Sequence, residues 1–175
     1  MAEQSEKLVN NSELSHEFLS AMSAAATGVT IVSTDGDGGR FATTVSAMCS
    51  VSAEPPLLLC CIHGRSPAVE AIKKNEGFCV NVLATHHKEV ADNFAGRAQP
   101  GKEAWDFEIG EWVKAKSGAP RLSDSVASFD CDIYDVIEAG THLIFIGQVH
   151  HIELNSHQPL IYTARDYHRP VHHAE

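Results

Sequence analysis

Between Arg40 and Ser66 the chain gathers the groups best suited to holding an anion and a flat ring. A segment of small and hydroxyl-bearing residues, Phe41-Ala42-Thr43-Thr44-Val45-Ser46-Ala47, leads into Ser50-Val51-Ser52-Ala53-Glu54-Pro55-Pro56. An apolar run from Leu57 to Ile62 follows, and then His63-Gly64-Arg65-Ser66-Pro67. Serine ahead of proline is an N-cap with proline at the first helical position, so a helix begins there with unpaired backbone amides. Arg65 and Ser66 beside those amides suit a phosphate or pyrophosphate through charge-assisted bonds and the helix N-terminus. Thr43, Thr44, Ser46 and Ala47 are small enough to let a heteroaromatic ring approach the backbone, and their hydroxyls and amides can meet its polar edge. A nucleotide-like cofactor is the ligand class that fits.

The other reactive side chains point to less. Five cysteines, Cys49, Cys60, Cys61, Cys79 and Cys131, form no C-x-x-C pair, so reduced and mostly buried thiols are expected rather than a disulfide framework or a zinc site. Eleven histidines include the adjacent pairs His86-His87, His150-His151 and His172-His173. Neighbours in a strand face opposite ways and neighbours in a helix diverge by about 100°, so no pair is expected to chelate and no metal is expected. No G-x-G-x-x-G follows a strand, which argues against a Rossmann fold.

These residues must be positioned by one domain, since 175 residues can bury one good core but not two. The expected bounds are a disordered lead over 1–11, a domain over 12–170 and a tail over 171–175. Apolar positions Leu14, Phe18, Leu19 and Met22 predict an amphipathic first helix ending near Ala24 to Ala26. Val29 to Ser33 reads as a strand, and Asp35-Gly36-Asp37-Gly38-Gly39 predicts a hairpin with Phe41 to Ser46. Leu57 to Ile62 starts a buried strand after the prolines. A helix to about Lys74, a strand over Phe78 to Leu83 and a short helix capped by Thr85 and stopping before Gly96 follow. Residues 96–124 are expected to form a long loop with one short strand. Phe129, Cys131 and Ile133 alternate with Asp130 and Asp132 as in a strand with one wet face, and Gly140-Thr141 turns it into a strand from His142 toward Leu154. Many short strands with few helices make a mainly β protein, a barrel with helical decoration. A net charge of −10 leaves no basic stripe for nucleic acid or an anionic membrane. The start lacks a secretion signal and no apolar run reaches the roughly 20 residues of a membrane span, so a cytoplasmic protein is expected.

The order of these segments resembles the flavin reductase family, short enzymes that supply reduced flavin to two-component monooxygenases. The resemblance runs from about Phe18 to Tyr167. It rests on Thr27-Gly28-Val29-Thr30-Ile31-Val32, the Thr43 to Ala47 segment, Val51 to Leu57, Phe78-Cys79-Val80-Asn81-Val82-Leu83, Gly140-Thr141-His142 and Pro159-Leu160-Ile161-Tyr162. It implies a split β-barrel, a homodimer with sites at the subunit interface, and hydride transfer from NADH, or alternatively NADPH, to FMN or FAD. It implies that Arg40, Phe41, Ala42, Thr43, Thr44, Ser46 and Ala47 line the flavin, with Cys61, Ile62 and His63 at the facing strand end and Asn93 and Phe94 nearby. It places His142 over the flavin where the nicotinamide docks, and Tyr167 on the nicotinamide side. The family pattern before this histidine is usually Gly-Asp-His, and Thr141 replaces the aspartate; His63 stands where asparagine is frequent. Such a reaction needs little from side chains beyond stacking one ring on the other. A flavin-binding barrel without catalysis and an FMN-retaining oxidase are the alternatives.

Overall fold

The computed structural model describes residues 2–172 other than 98, 99 and 102, with side chains from residue 12 onward. The side chains of the expected lead, Met1 and residues 173–175 of the expected tail lie outside the described residues. In chain order the elements are α1 (Ala2–Ala24), β1 (Thr27–Gly28), β2 (Thr30–Thr34), β3 (Phe41–Val45), β4 (Met48–Ala53) and β5 (Pro56–His63). There follow α2 (Pro67–Asn75), β6 (Gly77–Val82), α3 (Lys88–Phe94), β7 (Trp112–Lys114) and β8 (Pro120–Leu122). The chain ends with β9 (Ala127–Ala139), β10 (His142–Leu154), β11 (Ile161–Thr163) and β12 (Asp166–His168). Among the described residues, no helix is long and apolar enough to cross a membrane.

Seven strands form one sheet in the order β3-β2-β6-β9-β10-β5-β4. The two edge strands, β3 and β4, are separated in sequence by Ser46 and Ala47 alone, so the sheet has to curl until its edges meet. No ladder joins them; the Cys61 amide instead donates to the Ala47 carbonyl at 3.0 Å. The result is a curled sheet with a seam, and the hydroxyl-rich segment crosses that seam.

Burial explains the curl. Val32, Ile62, Phe78, Val80 and Phe145 point into one cluster with Val69 and Ile72 of α2. Phe78 and Phe145 are fully buried and meet edge to face at 6.3 Å; a side chain of this kind contributes about 1.5–3 kcal/mol when removed from water. Gly147 of β10 is required at the centre of this packing. A β-carbon there would lie 2.6 Å from the Phe78 ring and 2.9 Å from Cys131. A second cluster, including Val29, Ile31, Leu83, Phe94, Leu122 and Leu160, lies under α3.

The β2–β3 hairpin is clamped by Asn75 at the end of α2. Its carbonyl accepts from the Gly38 amide at 2.6 Å, and its amide donates to Thr34 Oγ1 and the Gly39 carbonyl, both at 3.0 Å. α2 begins as expected, with Ser66 at the N-cap and Pro67 behind it, although the Ser66 hydroxyl makes no capping bond.

Several expectations need correction. A strand precedes the prolines as well as following them: β4 pairs with β5 as a hairpin, and β5 starts at Pro56 rather than at Leu57. Thr85 does not cap α3: His87 holds that position, and the Thr85 amide donates to the Gln158 carbonyl at 3.0 Å. The loop over 96–124 contains two strands, β7 and β8, paired with each other. Asp130 does not face water; it is 4% exposed and accepts bonds from the Ser117 amide and hydroxyl. Leu14, Phe18, Leu19 and Met22 do lie on α1, but all are more than half exposed, so none of the described residues covers that face.

Candidate functional site

At the seam, Thr43, Thr44, Val45, Ser46 and Ala47 line one side of a cavity of about 240 Å³, with Cys61, His63 and His142 opposite. The sheet register explains the meeting. His63 ends β5 and His142 starts β10, and the two are direct cross-strand partners, their rings 5.1 Å apart and edge to face. The Gly64 amide donates to the Thr141 carbonyl at 2.9 Å and locks the two strand ends together.

Hydrogen bonding fixes what these rings can offer. The Arg65 amide donates to His63 Nδ1 at 3.1 Å, so the neutral ring carries its proton on Nε2. Thr141 Oγ1 lies 2.9 Å from His142 Nδ1, leaving the other ring nitrogen free. Thr44 uses its hydroxyl within the protein, donating to the Ala91 carbonyl at 2.8 Å. Among the described residues, Thr43 and Ser46 hydroxyls and both Nε2 atoms have no protein partner. A cavity edged by unengaged donors and acceptors, next to small residues, fits a flat polar heterocycle.

A second cavity, of about 160 Å³, shares Thr44, Val45 and Ser46 as a wall and adds Val29, Ala95, Arg97, Tyr162 and Tyr167. Tyr167 comes from β12, where it pairs with Tyr162, and its hydroxyl donates to Asp92 Oδ1 at 3.0 Å. Arg97 Nε lies 3.4 Å from the same oxygen. Burial, then the bond to Asp92, pushes the Tyr167 phenol up to about 12, so it is a donor rather than a base at neutral pH. A larger cavity, of about 660 Å³, lies elsewhere, between Asp35, Lys73, Glu76, Ser117 and Asp132, and none of the expected residues lines it.

A model of the flavin reductase like domain matches residues 22–170. The chain belongs to that family. It is 40% identical over 153 residues to the FMN reductase (NADH) RutF of Ancylobacter novellus, covering 87% of this chain and 83% of that protein. Its fold superposes on the flavin reductase PheA2 with a TM-score of 0.81 at 30% identity, over 90% of this chain and 98% of that one. BorF, the flavin reductase component of a bacterial two-component tryptophan halogenase, matches with a TM-score of 0.79 at 30% identity, over 89% and 97%. The resemblance read from the sequence is thus borne out at the level of the family.

Within this flavin reductase fold the expected residues divide. Thr43, Thr44, Ser46, Ala47, Cys61, His63 and His142 meet at one cavity and Tyr167 at its neighbour. The Arg40 guanidinium stacks on the Phe107 ring at 4.0 Å. Phe41 and Ala42 pack toward the two cores, and Ile62 is buried. Asn93 is 1% exposed, its side chain bridging the Asp106 amide and carbonyl. Phe94 packs edge to face on Phe107 and Trp112. Arg65 and Ser66 lie beyond the cavity wall at the start of α2. Sequence reasoning missed Arg97 and its partner Asp92; an arginine just past the glycine that ends α3 was the available signal. The thiols follow expectation in part: Cys60, Cys79 and Cys131 are buried, whereas Cys49 is exposed. Burial, then the neighbouring Cys61, pushes the Cys60 thiol up to about 12.

The rule that adjacent histidines diverge fails at one place. His86 and His87 lie in a turn rather than a strand or helix, and their rings come within 4.1 Å.

Proposed function

We propose that this flavin reductase transfers hydride from NADH to free FMN or FAD at the β3–β4 seam and passes the reduced flavin to a flavin-dependent monooxygenase component. The observation that carries this reading is the seam cavity, where His63 and His142 face the Thr43–Ala47 segment across a space edged by unengaged polar atoms. When bound, the flavin supplies the hydride-accepting atom, N5, and the nicotinamide supplies the hydride.

The chain's own residues bind and orient. Thr43 and Ser46 hydroxyls and the His63 Nε2–H meet the polar edge of the ring, and Ala47 leaves room for its face. His142, held through Nδ1 by Thr141, presents Nε2 to the nicotinamide. Tyr167 and Arg97 close the adjoining cavity on the nicotinamide side. Arg65, with the amides at the start of α2, takes the phosphate, and Arg40, Phe41, Ala42, Cys61, Ile62, Ser66, Asn93 and Phe94 shape the wall behind. RutF reduces FMN with NADH by its name, which favours that pair here. No separate basic cluster for a 2′-phosphate accompanies the seam, which also favours NADH over NADPH.

A homodimer completes the reading. The uncovered stripe of Leu14, Phe18, Leu19 and Met22, together with exposed Tyr134 and Ile137 on β9, is the kind of surface that pairs with a second copy. The active unit is residues 12–170, between a lead over 1–11 and a tail over 171–175, and it works in the cytoplasm, where NADH is available. The test is NADH oxidation under air with and without FMN, FAD or riboflavin. Turnover dependent on free flavin is expected. Flavin binding without nicotinamide oxidation would instead indicate a non-catalytic barrel, and turnover on flavin retained through purification would indicate an oxidase.

A further inference from the structure

Three loops outside the seam are laced together by their backbones. Ala84, after β6, bridges Pro159, and the Thr85 amide donates to the Gln158 carbonyl at 3.0 Å. Asn155 donates its amide to the Val126 carbonyl and its side-chain nitrogen to the Ser125 carbonyl, both at 2.8 Å. The Val126 amide donates to the Val82 carbonyl, also at 2.8 Å. Each loop brings a histidine or carboxylate side chain to the same corner. His86 and His87 come from the first, Asp124 from the turn between β8 and β9, and His157 from the loop between β10 and β11. Asp124 Oδ2 lies 2.7 Å from His86 Nε2, and Oδ1 lies 2.9 Å from His87 Nε2. The His157 ring stands edge-on to His86 with centroids 5.3 Å apart.

The two adjacent histidines have different parts. The Ala84 amide donates to His87 Nδ1 at 3.1 Å, so the neutral His87 ring carries its proton on Nε2 and donates it to Asp124 Oδ1. With both nitrogens engaged, His87 holds the carboxylate and is not itself a ligand. Among the described residues, no backbone amide donates to His86. Its Nε2 and Asp124 Oδ2 are close enough that only a proton or a metal cation between them removes the repulsion of two lone pairs.

We propose that His86 and Asp124, joined by the exposed His157 side chain as it turns toward them from its edge-on position, form a binding site for a divalent transition-metal ion of the zinc class, with His87 as the residue that positions Asp124. Zinc takes nitrogen and oxygen ligands at about 2.0–2.2 Å in a tetrahedral shell, which sets neighbouring ligand atoms about 3.3 Å apart. The His86–Asp124 pair therefore opens by only about half an ångström to admit the ion. Two imidazoles with one carboxylate favour zinc, nickel or copper over magnesium or calcium, and a carboxylate oriented by a second histidine is a familiar outer-shell arrangement. The His86 and Asp124 side chains are 49% and 44% exposed, which gives the ion an entry path and leaves room for water at the fourth position. None of these residues lines the seam cavities, so the site does not depend on the flavin chemistry.

The test uses the full chain freed of metal with a chelator and titrated with Zn²⁺ against a chromogenic competitor, with Co²⁺ absorption reporting the geometry. One tight site with a tetrahedral Co²⁺ spectrum is expected, and Zn²⁺ should raise the melting temperature. His86→Gln and His157→Gln, both at exposed positions, should each weaken that site by about 10-fold or more, and the double variant should abolish the thermal shift. His87→Gln should weaken it by about 10–100-fold without changing the number of ligands seen by Co²⁺. Circular dichroism confirms that each variant is folded before it is scored. Survival of the tight site in the double variant, its loss in His168→Gln or His172→Gln instead, or the absence of any tight site in the wild type would overturn the proposal.

Discussion

Two histidine pairs invite comparison, His63 with His142 at the seam and His86 with His87 at the three-loop corner, with ring centroids 5.1 and 4.1 Å apart. In each pair a backbone amide donates to one Nδ1 at 3.1 Å, from Arg65 at the seam and from Ala84 at the corner. Each pair thereby contains one ring with its proton fixed on Nε2. What differs is the group that ring faces. At the corner Asp124 lies within 2.7–2.9 Å of Nε2 on both rings, whereas at the seam no carboxylate lines the cavity and both Nε2 atoms face open space. A carboxylate turns a histidine pair into a closed structural or cation-holding unit. Its absence leaves the pair available to an organic ligand.

The largest effect expected from this contrast is on activity at the seam. His142→Ala should lower kcat for NADH-dependent flavin reduction by about 100-fold, within the range for losing a positioned imidazole, while His150→Gln, on the same strand, should change it little. Steady-state kinetics decide it, and equal losses in both variants would mean that the seam pair has no special role. Next is Asp124→Ala at the corner. His87, its side chain 5% exposed, would be left with a buried N–H and no acceptor, a loss of about 1–3 kcal/mol. Asp124→Asn retains an acceptor and should cost less. Denaturant unfolding reports both, and an unchanged midpoint for the alanine variant would show the corner pair to be as unengaged as the seam pair.

A smaller effect tests the hold on His142. Thr141→Val removes the hydroxyl 2.9 Å from its Nδ1 and should reduce kcat/KM by about 5-fold, the equivalent of one ordinary hydrogen bond of about 1 kcal/mol. Thr141→Asp restores an acceptor and should recover most of that loss. If valine and aspartate reduce the rate equally, the contact does not orient the ring.

What could be read from the sequence divides along the same physical lines. Local chemistry was legible: Ser66-Pro67 started α2, the Asp35 to Gly39 turn made the β2–β3 hairpin, and the Thr43 to Ala47 segment reached the cavity. Elements whose pattern was masked by unusual local residues were not. The β11–β12 hairpin turns through Ala164 and Arg165 at φ of 49° and 62°, positions where asparagine or glycine would have announced the turn. β4 was hidden because its residues, Met48 to Ala53, are mostly exposed, and an edge strand with little burial carries no period-2 signal. Asp130 looked like the wet side of a strand because its partner, Ser117, is contributed by a loop 13 residues away in sequence. The convergence of His86 and His87 was invisible for a similar reason. The rule that neighbours diverge belongs to helices and strands, and these two occupy a turn facing a carboxylate that arrives from 37 residues later.

Tyr167 lies between the two histidine pairs, because it lines a seam cavity yet is closed on a carboxylate, Asp92. If the carboxylate rule holds, Tyr167 acts as a fixed wall and not as an acid or base, and Tyr167→Phe should alter kcat by less than about 5-fold while costing about 1 kcal/mol of stability. Its titration sharpens the point. Burial and the Asp92 bond raise the phenol from 10.0 in the ordinary state to about 12 in the folded chain. A raised value means that the folded state holds its proton more tightly than the unfolded state does. The associated stability is fully present below pH 10 and is lost as the pH rises toward about 12. The wild type should therefore lose stability over that interval more steeply than Tyr167→Phe, and alkaline difference spectroscopy should show one tyrosinate fewer at the high end in the variant. Parallel alkaline losses in the two proteins would mean that Asp92 does not hold the phenol, and that Tyr167 is as free as the histidines across the seam.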